Sequence, residues 1–320
     1  MELENHPNRT FCEHLLDGFI QGFDTGLTSL PKHSYECANL LSAKNQPPIT
    51  MELLNTELER GYAIGPFDRI PFEQYRISPL GVAESKYSKK KRLIVDLSAP
   101  HDNEKHPSLN ELINKEDFSL SYVTIDTAVQ IIRRLGKGAW MCKTDIKDAF
   151  KLIPIKEALW PYYGVKWNGK YYFYTRLVFG GRSSPKIFDS LSEAVCWILE
   201  HNYKLANVLH LLDDFLAIDS PEADADRTMA VLTLVFNKLG IPLSLNKTVG
   251  PVTELEYLGI ILDSTKMEAR LPMDKVDRIR NVLISFLNRK SCTKQELLSL
   301  LGHLNLHQGS YILGELSYHI

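Results

Sequence analysis

Two apolar runs, Val208 to Leu212 and Phe215 to Ile218, are separated only by Asp213 and Asp214. No other feature constrains the fold as tightly. Runs of this length joined by two residues read as a β-hairpin, so this one must carry two carboxylates at its tip. Two-residue hairpin turns favour Gly or Asn, which accept positive φ angles. Asp-Asp supplies no Gly and has no base beside it in sequence, so like charges are crowded where turn chemistry does not ask for them. Two readings stay open on these residues alone, a solvated hairpin tip and a cation site.

A second acidic centre lies in Lys143-Thr144-Asp145-Ile146-Lys147-Asp148-Ala149-Phe150. A strand is predicted over Trp140 to Ile146, which puts Asp145 near its end. Alone, Asp145 reads as a cap or turn former. Together the two centres point to a divalent-ion site, because carboxylate oxygens suit Mg²⁺, which completes its shell with water and substrate phosphates. Asp145 and Asp213 are the expected shared ligands, with Asp214 adjoining, and Mn²⁺ is an alternative ion. A pair of ions roughly 3.5 to 4 Å apart would clamp the attacking and leaving oxygens of a phosphoryl transfer.

The remaining pattern supplies a frame. Arg92 to Leu97 reads as a strand leaving a loop with five bases in the seven residues from Lys86 to Arg92. Asp126 is placed to cap a helix running to Leu135, closed by Gly136. Val165 to Trp167, Asn168-Gly169 and Lys170 to Tyr174 form a hairpin signal with a type I′ turn. Ser184-Pro185 opens a helix through Ile198, and Ser220-Pro221 opens another with Met229, Leu232, Phe236 and Leu239 inside. Leu255 to Leu262 reads as a strand or hairpin. Helices are predicted over Met273 to Leu287 and Lys294 to His307, the second opened by the capping box Thr293 to Glu296. Hairpins interleaved with helices, then helices alone, predict an α+β palm with an appended helical lobe.

Composition narrows the function classes. The net charge is −2, so any nucleic-acid surface is a local patch. Five cysteines lie far apart with no zinc spacing, which reads as reduced, buried thiols of an intracellular protein. Met1 to Arg9 lacks the basic start and apolar stretch of a signal peptide. No uncharged apolar run reaches the roughly 18 to 20 residues that span a bilayer, so no membrane partner is expected and the location is cytoplasmic or nuclear.

In order, Arg92 to Asp96, Asp145 to Phe150, Phe179-Gly180-Gly181-Arg182-Ser183-Ser184-Pro185, Leu211 to Asp214, Leu239 to Lys247 and Leu255 to Gly259 resemble the successive motifs of reverse transcriptases. The resemblance covers about residues 60 to 270. Leu15 to Phe19, Ser78 to Val82 and Leu301 to Asn305 are similar to segments of DIRS-like retrotransposons, which use a tyrosine recombinase. The resemblance implies a right hand with fingers at 60–120 and 153–183, a ferredoxin-like palm at 121–152 and 184–268, and a truncated helical thumb or connection at 269–320. Residues 1–59 would be an N-terminal extension.

It also implies RNA-directed DNA synthesis from dNTPs on an RNA or DNA template with a primer, with Mg²⁺ held by Asp145, Asp213 and Asp214. Lys86 and Arg92 would neutralise the triphosphate, and Asp148 and Ala149 would offer it backbone amides. Phe150 matches the bulky position that screens the sugar, although alone it reads as core. Asp96, Gly180, Gly181 and Arg182 match positions on template and primer. Lys247 matches a lysine that donates a proton to pyrophosphate, although alone it reads as a surface lysine. Two departures stand out: Leu211 replaces an aromatic before Leu212-Asp213-Asp214, and Gly181-Arg182-Ser183-Ser184 is an unusual template grip. The tail after Met267 is too short for a ribonuclease H domain, so the chain reads as a truncated or separately encoded piece. A catalytically silent nucleic-acid-binding remnant is the alternative, and an RNA-templated RNA polymerase is a third reading opposed by Phe150.

Overall fold

The apolar runs around the two aspartates pair as the alternation requires, and a sheet grows outward from them. In the computed structural model, which describes residues 2–85, 89–101, 103, 105–287, 289, 291–305 and 317–319, the chain divides into two compact units. One unit comprises residues 1–121 and 148–194, the other residues 122–147 and 195–320.

The second unit is built on an antiparallel sheet in the order Val249–Val252, Trp140–Asp145, Asp214–Asp219, Val208–Leu211. Phe215, Leu216, Ala217 and Ile218 are all buried, as in a strand covered on both faces. Phe215 meets Phe236 of the helix Ala225–Lys238 edge to face, with ring centroids 5.0 Å apart. Leu216, Ile218 and Met141 join Ala128, Val129 and Ile132 of the helix Ile125–Leu135, with Leu255, Tyr257 and Leu262, in one core. The last three come from the hairpin Glu254–Tyr257 and Ile260–Asp263, which heads a second antiparallel sheet. Helices Met273–Leu287 and Lys294–Asn305 follow. The capping box forms as predicted: Glu296 N donates to Thr293 Oγ1 at 3.2 Å, and Thr293 N to Glu296 Oε2 at 2.8 Å.

Two helix starts differ from the expectation. Thr124, not Asp126, is the cap of Ile125–Leu135, and Asp126 lies in the first turn, where its charge complements the helix dipole. The helix predicted from Ser220-Pro221 begins at Ala225, because the side chain of Asp224 accepts a bond from Arg227 N and supplies the stronger cap.

The first unit holds a five-stranded sheet in the order Tyr35–Glu36, Arg76–Ile77, Gly164–Trp167, Lys170–Tyr174, Ala63–Phe67. Asn168 and Gly169 take φ of 48° and 76°, as a type I′ turn requires. A separate ribbon pairs Leu80–Glu84 with Lys91–Val95. Residues 1–59 supply helices Arg9–Gln21 and Pro47–Glu59 and the edge strand Tyr35–Glu36, with Leu15, Phe23, Ala43 and Leu54 buried. By sequence alone Gln46-Pro47-Pro48 reads as a break, since proline does not continue a helix. The prolines instead occupy the first helical positions, where no intrahelical N–H is needed.

None of the five cysteines is in a disulfide; Cys142 and Cys196 are buried, but Cys292 is exposed, against the expectation of buried thiols. Among the described residues no helix is long and apolar enough to cross a membrane.

Candidate active site

The register of the central sheet sets the acidic centre. Asp214 is paired across the ladder with Leu211 on one side and with Asp145 on the other. The turn is therefore Leu212-Asp213, one residue earlier than the sequence reading placed it, and Asp214 is the first residue of its strand. Ladder bonds on both sides favour this register, but it forces Leu212 to φ 53°. A non-glycine residue there costs roughly 1–2 kcal/mol. Asp213 O accepts from Ile146 N at 2.9 Å, and Asp145 O accepts from Ser244 N at 2.8 Å. Backbone bonds thus fix both strand ends.

Two lysines answer the buried charge. Lys247 Nζ donates to Asp145 Oδ2 at 2.6 Å, with Asp145 buried and the lysine largely exposed. Lys143 Nζ lies 3.1 Å from Asp214 Oδ2 and also donates to Glu256 O at 3.1 Å. Oδ1 of Asp214 is buried with no hydrogen-bond partner. Burial pushes the Asp214 carboxyl above its usual value; Lys143 opposes the shift, and the charges of Asp145 and Asp213 add to it.

Among the described residues no three His, Cys, Asp or Glu side chains converge into a preassembled metal cluster. The donor set nevertheless fits a hard divalent ion. All the donors are carboxylate oxygens on adjoining strand ends and the turn between two of the strands, one of those oxygens is unpartnered, and ammonium groups already sit against two others. Such an ion would take the charge-balancing positions of Lys247 and Lys143.

Between Lys147 and Asp148 the chain passes into the other unit. Asp148 is left-handed at φ 53° and opens the single turn Ala149–Leu152. Ala149 and Phe150 are buried, and the Phe150 ring lies 4.7 Å from Phe179 and 5.5 Å from Phe188. Phe150 is therefore packed, while Phe179 is half exposed. Arg92 is exposed on the ribbon strand opposite Ala83. Lys86 lies outside the described residues. Asp96 accepts from Ser98 N at 3.0 Å and lies 3.1 Å from His101 Nε2.

Gly180 has φ 91°, and a Cβ on Gly181 would come within 2.5 Å of Ser184 Oγ, so both glycines are required where they stand. Asn110 braces this turn, donating from Nδ2 to Gly180 O at 2.9 Å and accepting at Oδ1 from Arg182 N at 2.8 Å. Arg182 Nη1 donates to Ile113 O at 2.9 Å. A polar pocket of about 190 Å³ is lined by Ser98, His101, Ser108, Asn110, Glu111 and Arg182.

The structure thus gathers Asp145, Asp213, Asp214 and Lys247 in one unit, and places Arg92, Asp96, Asp148, Ala149, Phe150, Gly180, Gly181 and Arg182 in the other. The sequence reading quoted Lys143 and Phe179 within motifs but gave neither a role, and it passed over Asn110. Lys143 was accessible to it, since it sits two residues before Asp145 and a strand repeats its faces every two residues. Asn110 carried no local signal, because its partners in the Gly180 turn are some 70 residues away in the chain.

A family model described as reverse transcriptase (RNA-dependent DNA polymerase) matches residues 71–262. The chain belongs to the reverse transcriptase family. Among solved structures, it resembles a foamy viral protease-reverse transcriptase in complex with double-stranded DNA, with 17% identity, a TM-score of 0.62, and 95% of this chain and 50% of that one covered. A foamy viral protease-reverse transcriptase in complex with an RNA/DNA hybrid matches with 18% identity and a TM-score of 0.63 over 95% of this chain and 39% of that one. A third, also with double-stranded DNA, gives 18% and 0.62 over 96% and 60%. These likenesses establish the α+β right-hand polymerase fold for this chain, which spans about half the length of the first of them. No curated protein matches the chain.

Proposed function

We propose that this chain is an RNA-directed DNA polymerase that transfers deoxynucleotides from dNTPs to a primer 3′ hydroxyl on an RNA or DNA template. The pairing of Asp145 with Asp214 across two strands, with Asp213 in the adjoining turn, carries the reading. This pairing lies inside the span matched by the family model. Complexes of the foamy viral enzymes with double-stranded DNA and an RNA/DNA hybrid support a primer-template as partner. Asp145, Asp213 and Asp214 would hold Mg²⁺, or Mn²⁺. When bound, the ion supplies activation of the primer hydroxyl and neutralisation of the leaving pyrophosphate.

The chain's own residues do the rest. Arg92, with Lys86, draws the triphosphate by charge, and Arg92 can engage two phosphate oxygens at once. The backbone amides of Asp148 and Ala149 orient it, and the Phe150 ring screens the 2′ position. Lys247 Nζ, paired with Asp145 in this structure, is assigned the proton that goes to pyrophosphate. Gly180, Gly181 and Arg182, with Asp96, present backbone and charge to the template. We assign fingers to 60–120 and 153–183, palm to 121–152 and 184–268, and thumb to 269–320. The segments Leu15 to Phe19, Ser78 to Val82 and Leu301 to Asn305 support an origin in a DIRS-like retrotransposon.

Primer extension by the purified chain on an RNA template, with dNTPs and Mg²⁺, tests the reading beside Asp213→Asn and Asp214→Asn proteins. Extension by the parent and none by either variant is expected. Retained primer-template binding without extension by any of them would replace it with a silent binding remnant.

A further inference from the structure

The segment Asp148 to Lys151 is held by the helix Pro47–Glu59 and the residue that ends it. Arg60 Nη1 lies 2.7 Å from Asp148 Oδ2, and Lys151 Nζ lies 2.7 Å from Glu57 Oε2. The two pairs run in opposite senses. Glu57 and Arg60 are three residues apart at a helix end, where such spacing shares a face. Asp148 and Lys151 are three apart on a tight single turn, closed by Lys151 N donating to Asp148 O at 2.8 Å, where that spacing brings side chains into line. Acid faces base and base faces acid, so a slip of the turn along the helix would break both pairs.

The surroundings strengthen the clamp. Lys151 is buried, and its ammonium lies 4.2 Å from the centre of the Tyr174 ring. Burial pushes that ammonium below its usual value, and the charge of Glu57 restores part of the difference. Tyr62 Oη approaches Asp148 Oδ2 at 3.5 Å. A left-handed residue such as Asp148 persists only where its neighbours over-determine it, and Arg60, Tyr62 and the Lys151 amide do so here.

We propose that Glu57 and Arg60 are positioning residues for the nucleotide-binding turn Asp148 to Phe150, setting the place from which its amides and the Phe150 ring select a deoxynucleotide. This rests on the polymerase reading above, and it gives residues before the matched family span a part in substrate choice.

The test uses the full chain in primer extension with dNTP and ribonucleotide titrations and a melting temperature for every protein. Arg60 and Asp148 are both partly exposed, so Arg60→Ala should fold normally, an exposed pair contributing little stability. Its KM for dNTPs is expected to rise about 5- to 10-fold with kcat within about two-fold, and its preference for deoxynucleotides to narrow. Arg60→Lys should recover most of both. Glu57→Gln leaves Lys151 buried without its counter-charge and should melt early, whereas Glu57→Gln with Lys151→Met should restore the melting temperature and keep the raised KM. Parental KM and sugar preference in Arg60→Ala would overturn the inference, as would equal losses of kcat and melting temperature with selectivity unmoved. Absence of extension by the parent chain is a different result, which removes the polymerase reading and this one with it.

Discussion

The hairpin of Gly164–Trp167 with Lys170–Tyr174 and the hairpin of Val208–Leu211 with Asp214–Asp219 both turn on two residues, Trp167 pairing Lys170 in one and Leu211 pairing Asp214 in the other. The first spends Asn168-Gly169 on its turn, and both residues rest at positive φ, which glycine takes freely and asparagine tolerates. The second puts Leu212 at φ 53° and follows it with two half-buried carboxylates, one of which has a buried, unpartnered oxygen. The first hairpin obeys every local rule, while the second breaks turn chemistry and charge separation together. Local conflicts of that kind are expected where a chain has a task besides folding.

The largest expected effects lie at the acids. Asp214→Asn or Asp213→Asn should lower primer extension by at least about 100-fold while the protein keeps its fold, since several kcal/mol of charge stabilisation are lost. A residual rate near the parent's would mean that the strained hairpin has no catalytic reason. Next in size is Gly169→Val, which finds open space around the new side chain but must hold a positive φ. A loss of roughly 1–2 kcal/mol in chemical denaturation is expected, with extension otherwise preserved. Leu212→Asn is the opposite experiment, because Asn tolerates the left-handed region. Stability should hold or rise by up to about 1 kcal/mol, and a clear fall would show that the leucine side chain, not the register, fixes the turn.

The smallest effect concerns pH. The Asp214 carboxyl is raised in the folded chain, so the folded state takes up its proton more readily than the unfolded one. Its burial penalty is absent below the ordinary carboxyl value near pH 4 and is switched on as pH rises through the folded value. The melting temperature of Asp214→Asn minus that of the parent, measured without divalent ions, should therefore grow from about pH 4 to pH 7. A difference that shrank with rising pH would mean that Lys143 outweighs burial.

What the sequence disclosed, and what it did not, follows the same division. Asn168-Gly169 and the Thr293 to Glu296 box were legible because a turn type or a cap is written in adjacent residues. The start of the helix after Ser220-Pro221 was misplaced because two candidate caps compete within five residues and only the fold chooses Asp224. Pro47-Pro48 hid a helix because proline breaks one from inside and begins one from its edge. At the acidic centre the identity of Asp145, Asp213 and Asp214 was legible, but not their register. Whether Asp213 or Asp214 enters the strand depends on ladder bonds to Trp140–Asp145, roughly 70 residues upstream. Asn110 escaped notice for a related reason: its partners at the Gly180 turn are brought near only by the fold.

Lys143 and Lys247 have a consequence for the life of the molecule. A cluster of carboxylates with no cation of its own could close only in the presence of dissolved metal, and a newly made chain would wait on the ion supply. Here the chain carries interim counter-ions on two tethers, one mostly shielded and one largely in water. If these acids take an ion as proposed, folding and loading would be separate events, and uptake would exchange one cation for another at strand ends that are already in place.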